Sequence, residues 1–184
     1  MSYPHRPLIC RGTYFVTTRC INNEAMLLSS EFKALVLDSI SKAQEKYSFE
    51  LSAFMVLNNQ VKLTIRTLNT KDTISKIMQH IKANTTRKVN RMMFRTGTIW
   101  NERFTSIVVL CIRETFDFIR KSIMLMSGEL KDGAFVPYPD PYGSFSAYSG
   151  HPPGVPRITV HEAFTMLNRI HDGMKVWLHD FGWK

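Results

Sequence analysis

The stretch FELSAFMVLNNQVKLTIRT, residues 49–67, predicts a β-hairpin. Apolar and β-branched residues fill both arms, as is typical of strands, and the Asn58-Asn59 pair between them tolerates the backbone dihedrals of a tight turn. Side chains of the second arm alternate between two faces of a strand. Its polar face carries Gln60, Lys62, Thr64 and Arg66, and its apolar face carries Val61, Leu63 and Ile65. The apolar face predicts a packed core on one side of a sheet, and the polar face needs another explanation.

The segments around this hairpin alternate between strand and helix. In chain order they predict a strand at 12–20, a helix from Ser29 or Ser30 to about Lys46, the two hairpin strands, a helix at roughly 72–93, a strand at 105–112 and a helix at 113–128. This order is the split βαββαβ arrangement of an α+β, ferredoxin-like fold. We therefore expect an antiparallel sheet with the first two helices on its apolar face and an extra third helix near its polar face.

The sequence predicts one main domain and a shorter tail. We expect residues 10–150 to form the domain, in which the stretch 135–156, rich in Pro, Gly and Tyr, is an ordered but irregular loop. Residues 151–184 are expected to form a C-terminal helical extension that packs on the domain. The aromatic residues of this tail that need a packing surface are Trp177, Phe181 and Trp183.

The chain is strongly basic. Among its 184 residues, Lys and Arg outnumber Asp and Glu by 24 to 15, which gives a net charge of +9 and a pI near 9.6. Such an excess favours an acidic partner, and nucleic acid is the commonest one. A basic surface that serves only solubility is the alternative.

The cysteines and the hydropathy pattern bear on location. Cys10, Cys20 and Cys111 are too widely spaced for a zinc motif or a disulfide framework, and reduced thiols are typical of the cytosol. No apolar run approaches the length that crosses a membrane. These features predict a cytoplasmic protein without membrane contact.

The second predicted helix carries a polar stripe opposite its buried side. Lys76, His80, Asn84, Arg87 and Arg91 recur there at helical spacing. Because no acidic residue interrupts the stripe, it is long enough and positive enough to follow a phosphate backbone. A helix face that is merely solvated is the alternative.

The end of this helix and the loop after it hold further candidates. Trp100 and Phe104 predict anchors that pin the loop to the core, while Arg103 is either a phosphate contact or a rim charge. Met92 and Met93, at the end of the helix, are expected to fill gaps in the core.

Several stretches, taken together and in order, carry a family resemblance. They are GTYFVTTRCINN, KYSFELSAFMVLNNQVKLTIRT, DTISKIMQHIKANTTRKVNRMMFRTGTIWNERF and DPYGSFSAY, which cover roughly residues 10–150. They resemble the single-tyrosine HUH transposases, especially the REP-associated tyrosine transposases. The resemblance implies the HUH form of the fold predicted above.

The resemblance also implies a chemistry. Members of this family cut single-stranded DNA, often beside hairpins, and a tyrosine on the third helix stays linked to the 5′ end. A His-hydrophobic-His pair on a central strand holds Mg²⁺ or Mn²⁺. The metal neutralises charge on the transferring phosphate, and the tyrosine forms a reversible covalent bond.

This chain departs from the family pattern at each catalytic position. Gln60 and Lys62 occupy the two histidine positions, Ser122 the tyrosine position, Met126 that of an Asn or Gln that helps to hold the metal, and Phe15 that of a first-strand His. Gln60 offers one weak carbonyl ligand, and the ammonium of Lys62 has no lone pair. We therefore expect no metal cofactor and no cleavage.

The function expected from the sequence is that of a catalytically inactive, transposase-derived protein that binds single-stranded or hairpin DNA. The expected DNA contacts are Lys62, Arg66, Lys76, His80, Arg87, Arg91 and Arg103. One alternative is a protein-interaction module on the same scaffold, which the aromatic tail suggests. Another is an active nuclease with Ser122 or a loop tyrosine as its nucleophile, although no base is paired with Ser122. A monomer and a homodimer are both compatible with the sequence.

Overall fold

The structure is a computed structural model that describes most of the N-terminal two thirds of the chain and four shorter pieces beyond it. The residues described are 9, 11–109, 128–131, 134–137, 142–144 and 156–159.

A four-stranded antiparallel sheet forms the centre of the described chain. Its strands are β1 (Thr13–Arg19), β2 (Phe49–Val56), β3 (Gln60–Thr67) and β4 (Thr105–Val109), in the spatial order β2-β3-β1-β4. The predicted hairpin joins β2 to β3, and the amide of Leu57 donates to the carbonyl of Gln60 at 2.8 Å to close its turn. The strands predicted at 12–20 and 49–67 are confirmed to within a residue.

Two long helices follow β1 and β3. They are α1 (Ser30–Lys46) and α2 (Ile74–Met92). Each begins at a hydroxyl cap, because Ser29 Oγ accepts from the Phe32 amide at 3.2 Å and Thr73 Oγ1 accepts from the Lys76 amide at 3.4 Å. Among the residues that the structure describes, neither helix combines the length and apolarity needed to span a bilayer.

Both helices pack on the apolar face of the sheet. The core cluster joins buried side chains of β1 and β3 to those of α1 and α2. Its central members are Tyr14, Val16, Val61, Leu63, Ile65, Val36, Ile40, Ile77, Met78 and Ile81. The antiparallel sheet with two helices on one face is thus the α+β fold expected from the order of elements.

The second face of the sheet is less exposed than the polar residues that β3 contributes to it would suggest. Ala53, Met55 and Thr64 lie on this face through their cross-strand pairing, and each is only 1% exposed. The burial extends along β2, whose residues from Leu51 to Val56 are all buried, as in a strand covered on both sides. Within the four strands, the exposed polar side chains on this face lie at strand ends: Arg19, Arg66 and Thr105.

Two distant segments cover the free edge of β2. The Val56 amide donates to the Tyr142 carbonyl and the Ser144 amide to the Phe54 carbonyl, both at 2.9 Å. Further along the same edge, the Thr159 amide donates to the Leu51 carbonyl at 2.9 Å. These bonds satisfy backbone groups that an edge strand would otherwise offer to another chain.

A second, smaller sheet was not predicted. Its two strands, β5 (Gly128–Lys131) and β6 (Ala134–Pro137), pair as an antiparallel hairpin. Gly128 lies in a strand and not in the helix predicted at 113–128, and the stretch assigned as irregular begins with a strand instead. Most of the third predicted helix, with Ser122 and Met126, lies outside the described residues, as does the tail from residue 160 onward.

Candidate nucleic-acid interface

Gln60 and Lys62 lie on the second face of β3 and form a polar patch with Arg19. Antiparallel pairing places Gln60 opposite Arg19, and Lys62 between Thr17 on β1 and Met55 on β2. The Arg19 guanidinium donates through Nε to the Gln60 amide oxygen at 3.5 Å. We call Arg19, Gln60 and Lys62 the β3 patch. Gln60 and Lys62 are the residues that the family resemblance assigned to the metal-ligand positions. Arg19 adds a cation beside them, which the alternation along β3 did not reveal.

The β3 patch has the wrong chemistry to hold a divalent metal. Burial, and then the charge of Arg19, lower the pKa of the Lys62 ammonium, and the same burial and charge disfavour a bound metal cation. The Gln60 amide oxygen, which could offer a metal a neutral ligand, already accepts a hydrogen bond from the Arg19 guanidinium. Phe15 on β1 supplies no ligand either. Across the described part of the chain, no three His, Cys, Asp or Glu side chains converge on one point.

We call Lys76, His80, Asn84, Arg87 and Arg91 the α2 stripe, and hydrogen bonds join its three middle members. Asn84 contacts His80 Nε2 through its side-chain amide nitrogen at 2.9 Å, and the Arg87 guanidinium donates to the Asn84 amide oxygen at 2.6 Å. The Lys76 ammonium donates to the Lys71 carbonyl at 2.8 Å. These contacts fix the directions of the side chains before any ligand binds.

The α2 stripe keeps its positive charge. Ion pairs within the described residues join Asp38 to Lys42 and to Lys88, and Glu50 to Arg66, but none involves the stripe. His80 packs edge-on against the Tyr47 ring, with centroids 5.5 Å apart. Burial first, and then the charges of Lys46 and Arg87, lower the pKa of the His80 imidazole. The guanidinium and ammonium groups of the stripe therefore form no ion pair with a described carboxylate, although the charge of Lys76 helps to lower the pKa of Asp72.

A cleft of about 640 Å³ opens between α2 and the loop at residues 97–104. It lies on the flank of α2 that carries Ser75, Gln79 and Lys82, whereas His80 and Lys88 mark the flank that meets α1. Three cations and one carboxylate line the cleft: Lys82, Arg87, Arg103 and Glu102. Arg87 belongs both to the α2 stripe and to the cleft, so the two form one continuous basic surface.

The loop at residues 97–104 is held rigidly against α2. The Trp100 indole donates to the Lys82 carbonyl at 3.2 Å, and the Lys82 ammonium donates back to the carbonyls of Asn101 and Glu102 at 2.7 and 3.0 Å. Trp100 and Phe104 are buried in the core, which confirms their predicted role as anchors. Lys82 was missed by the sequence reasoning because it stands off the stripe. No local pattern could have found it, because its partners are backbone carbonyls 19 and 20 residues further along the chain.

The expected DNA contacts fall on two surfaces and not on one. Lys62 and Arg66 lie on the second face of the sheet, where the Arg66 guanidinium meets the Glu50 carboxylate at 3.5 Å. Arg103 meets Arg87 in the cleft, with the rest of the α2 stripe beside it. Because α2 packs on the other face, the sheet lies between Lys62 and the cleft.

Comparisons with known proteins fit this architecture. The family described as "Transposase IS200 like" matches residues 12–122. A structure of a REP-associated tyrosine transposase bound to a REP hairpin shares the fold, with a TM-score of 0.60 and 22% identity over 68% of this chain and 72% of that one. A structure of a putative transposase from Deinococcus radiodurans R1 aligns with a TM-score of 0.43 and 15% identity over 59% of this chain and 87% of that one. The sequence has no significant match among curated proteins. Because the matched segment exceeds half of the sequence, this chain belongs to the IS200-like transposase family.

Proposed function

We propose that this chain is a cytoplasmic DNA-binding protein that holds single-stranded or hairpin DNA on α2 and does not cleave it. The observation that carries the proposal is the cleft, where Lys82, Arg87 and Arg103 converge around about 640 Å³ of space. Two comparisons support it. The chain is an IS200-like transposase by family, and a transposase that shares its fold is bound to a DNA hairpin.

The charge and length of the basic surface suit a phosphate backbone. Residues 73–104 include seven Lys or Arg and one acidic residue, Glu102. At 1.5 Å per residue, Lys76 and Arg91 lie about 22 Å apart along the helix axis. That distance covers about six phosphates of one strand at 3.4 Å each. An acidic peptide would need a regular run of carboxylates to match this surface, whereas every DNA strand carries a regular run of phosphates.

The β3 patch supports the proposal that the chain does not cut. Phosphoryl transfer at this position needs a metal ion to neutralise the charge that develops on the phosphate. The positive charge of Arg19, beside Gln60, repels a metal cation. Lys62 brings positive charge to the place where the family holds its metal, which suits contact with a phosphate but supplies no activated nucleophile. We propose that the patch is a phosphate contact left over from a cleavage site.

The binding proposal is tested by fluorescence anisotropy with labelled single-stranded, hairpin and duplex DNA of equal length. We expect R87E/R103E to weaken binding of the single strand and the hairpin at least about tenfold near 0.1 M salt, because two phosphate contacts become repulsive. The matched control is K33E/K42E, which changes the net charge equally on α1, away from the cleft. Equal losses in both variants would mean that overall charge, and not the cleft, determines affinity.

The cleavage proposal needs a separate measurement. Wild-type protein is incubated with single-stranded and hairpin DNA plus Mn²⁺ or Mg²⁺, then resolved on denaturing gels that display both cut DNA and a protein-DNA adduct. We expect neither product. Either product in the wild type would overturn the assignment of an inactive site and leave the binding assignment intact.

A further inference from the structure

The end of α2 displays apolar side chains that the core does not use. Phe94 is 98% exposed, and Met92 and Met93 are 47% and 45% exposed. The expectation that these methionines fill gaps in the core is therefore wrong, because nearly half of the surface of each is exposed. We call Met92, Met93 and Phe94 the α2 tip.

The backbone of the α2 tip makes Phe94 an unexpected residue. The Met93 amide makes the last regular helical bond, to the Val89 carbonyl at 2.9 Å. The Arg95 amide then donates to the Asn90 carbonyl at 3.0 Å, which is the longer of the two bonds of a Schellman motif. Phe94 occupies the left-handed position of that motif, with φ at +50°, where glycine is usual. Phe94 therefore has a strained backbone conformation and a solvent-exposed ring, and neither feature stabilises the fold.

Cations surround the tip and connect it to the cleft. Arg91 is exposed three residues before Phe94, and Arg95 follows it, with its guanidinium 3.6 Å from the Met26 sulfur. The Asn90 side chain donates to the Gly97 carbonyl at 2.7 Å, which fixes the turn, and Gly97 itself lines the cleft. Phe94 therefore stands three residues before Gly97, the first loop residue that lines the cleft.

We propose that Phe94 is a stacking platform for an unpaired base of the strand held in the cleft. The inference rests on the proposed DNA-binding function and adds a site to it. An exposed aromatic ring flanked by arginines offers a π face to the base and charge to the phosphates on either side. The absence of acidic residues between Arg87 and Thr98 favours a nucleic acid over a second copy of this chain, which would bring its own +9 charge.

The test uses a single-stranded oligonucleotide with 2-aminopurine at successive positions, together with a blunt duplex of the same sequence. We expect wild-type protein to quench one or two of these positions. Both F94A and F94G should abolish that quenching and weaken single-strand binding by about 5- to 150-fold, the range for one base stacked on an aromatic ring. F94W should retain both properties, and blunt-duplex binding should stay unchanged in all three variants.

Stability measurements separate stacking from folding. F94G should raise the Tm, because glycine adopts positive φ without strain, so its weaker binding would not be a folding defect. I107A is the matched control, since Ile107 is an exposed apolar residue on β4 that should leave single-strand affinity unchanged.

The outcomes that overturn the inference differ from those that overturn the proposed function. If wild-type protein binds no DNA, the proposed function fails and the stacking site with it. If R87E/R103E loses affinity while F94A and F94G bind and quench like the wild type, the stacking site alone fails. Equal losses for the single strand and the blunt duplex, or a self-association in sedimentation that F94A removes, would assign the tip another role.

Discussion

At the scale of single residues, the proposal that Gln60 and Lys62 stand at former metal-ligand positions can be tested by replacing both with histidine. Two histidines on one face of β3 should create a metal site. We expect Q60H/K62H to gain a thermal shift of about 3 to 6 °C in Mn²⁺ at about ten times the dissociation constant, as measured by differential scanning fluorimetry. Wild type and Q60A/K62A should show none. A shift of equal size in the wild type would show that the β3 patch already binds metal.

His80 gives a prediction with a definite sign in pH. Because burial and the neighbouring charges of Lys46 and Arg87 lower its pKa, the folded protein resists a proton that the unfolded chain accepts at about pH 6.5. The free energy of unfolding should therefore fall as the pH drops through that value. Urea unfolding at pH 7.5 and 5.5 should show a smaller fall for H80Q than for the wild type. An equal or larger fall in H80Q would contradict this assignment.

The sequence predicted where these side chains lie better than what they touch. Period-two alternation placed Gln60 and Lys62 on one face of β3, since it depends only on local backbone geometry. It could not predict that Arg19 would stand opposite Gln60, because cross-strand register is set by the whole sheet. The same limit applies to Thr64, which alternation places on the polar face of β3 but which is buried in the structure.

At the scale of elements, the loop at residues 97–104 depends on Trp100. This side chain is 1% exposed and donates its indole N–H to α2, so it joins the loop to the helix and the core at once. W100A should lower the free energy of unfolding by about 3–5 kcal/mol in urea titrations. W100F keeps most of the ring and should cost about 1–2 kcal/mol. I107A should stay within about 0.5 kcal/mol of the wild type, and an equal cost there would argue against a specific anchor.

Elements with a strong hydrophobic periodicity could be predicted from the sequence, whereas short strands that depend on pairing with a neighbouring strand could not. The α1 helix begins at the predicted serine cap, and β3 has the predicted limits of Gln60–Thr67. The hairpin of β5 and β6 was missed because its strands are four residues each and β6 ends in Pro137, which argues against a strand. Such short strands exist only through their pairing, which leaves little periodic signal in the sequence.

At the scale of the whole molecule, the sheet separates two basic surfaces. The cleft and the α2 stripe lie on the helix side, and the β3 patch lies on the other side. A DNA strand short enough to occupy the cleft alone should not sense the patch. We therefore expect K62E and R87E/R103E to act independently on a short oligonucleotide, with K62E nearly neutral. On longer DNA that wraps past the sheet, K62E should also weaken binding.

Salt dependence counts the phosphates that the molecule contacts as a whole. If Lys76, Arg87, Arg91 and Arg103 each neutralise one phosphate of a single strand, log K should fall against log salt with a slope of about −2.8. Removing two of these contacts in R87Q/R103Q should make the slope shallower by about 1.4, as measured by anisotropy titrations from about 0.05 to 0.3 M salt.

The matched variant K33Q/K42Q loses the same charge from α1 and should keep the wild-type slope. If both variants became shallower by the same amount, the strand would be attracted by the net charge of +9 and not held in the cleft. A slope that changes only in R87Q/R103Q would locate the ion release on α2, because released counterions report close contacts and not the distant field of the protein.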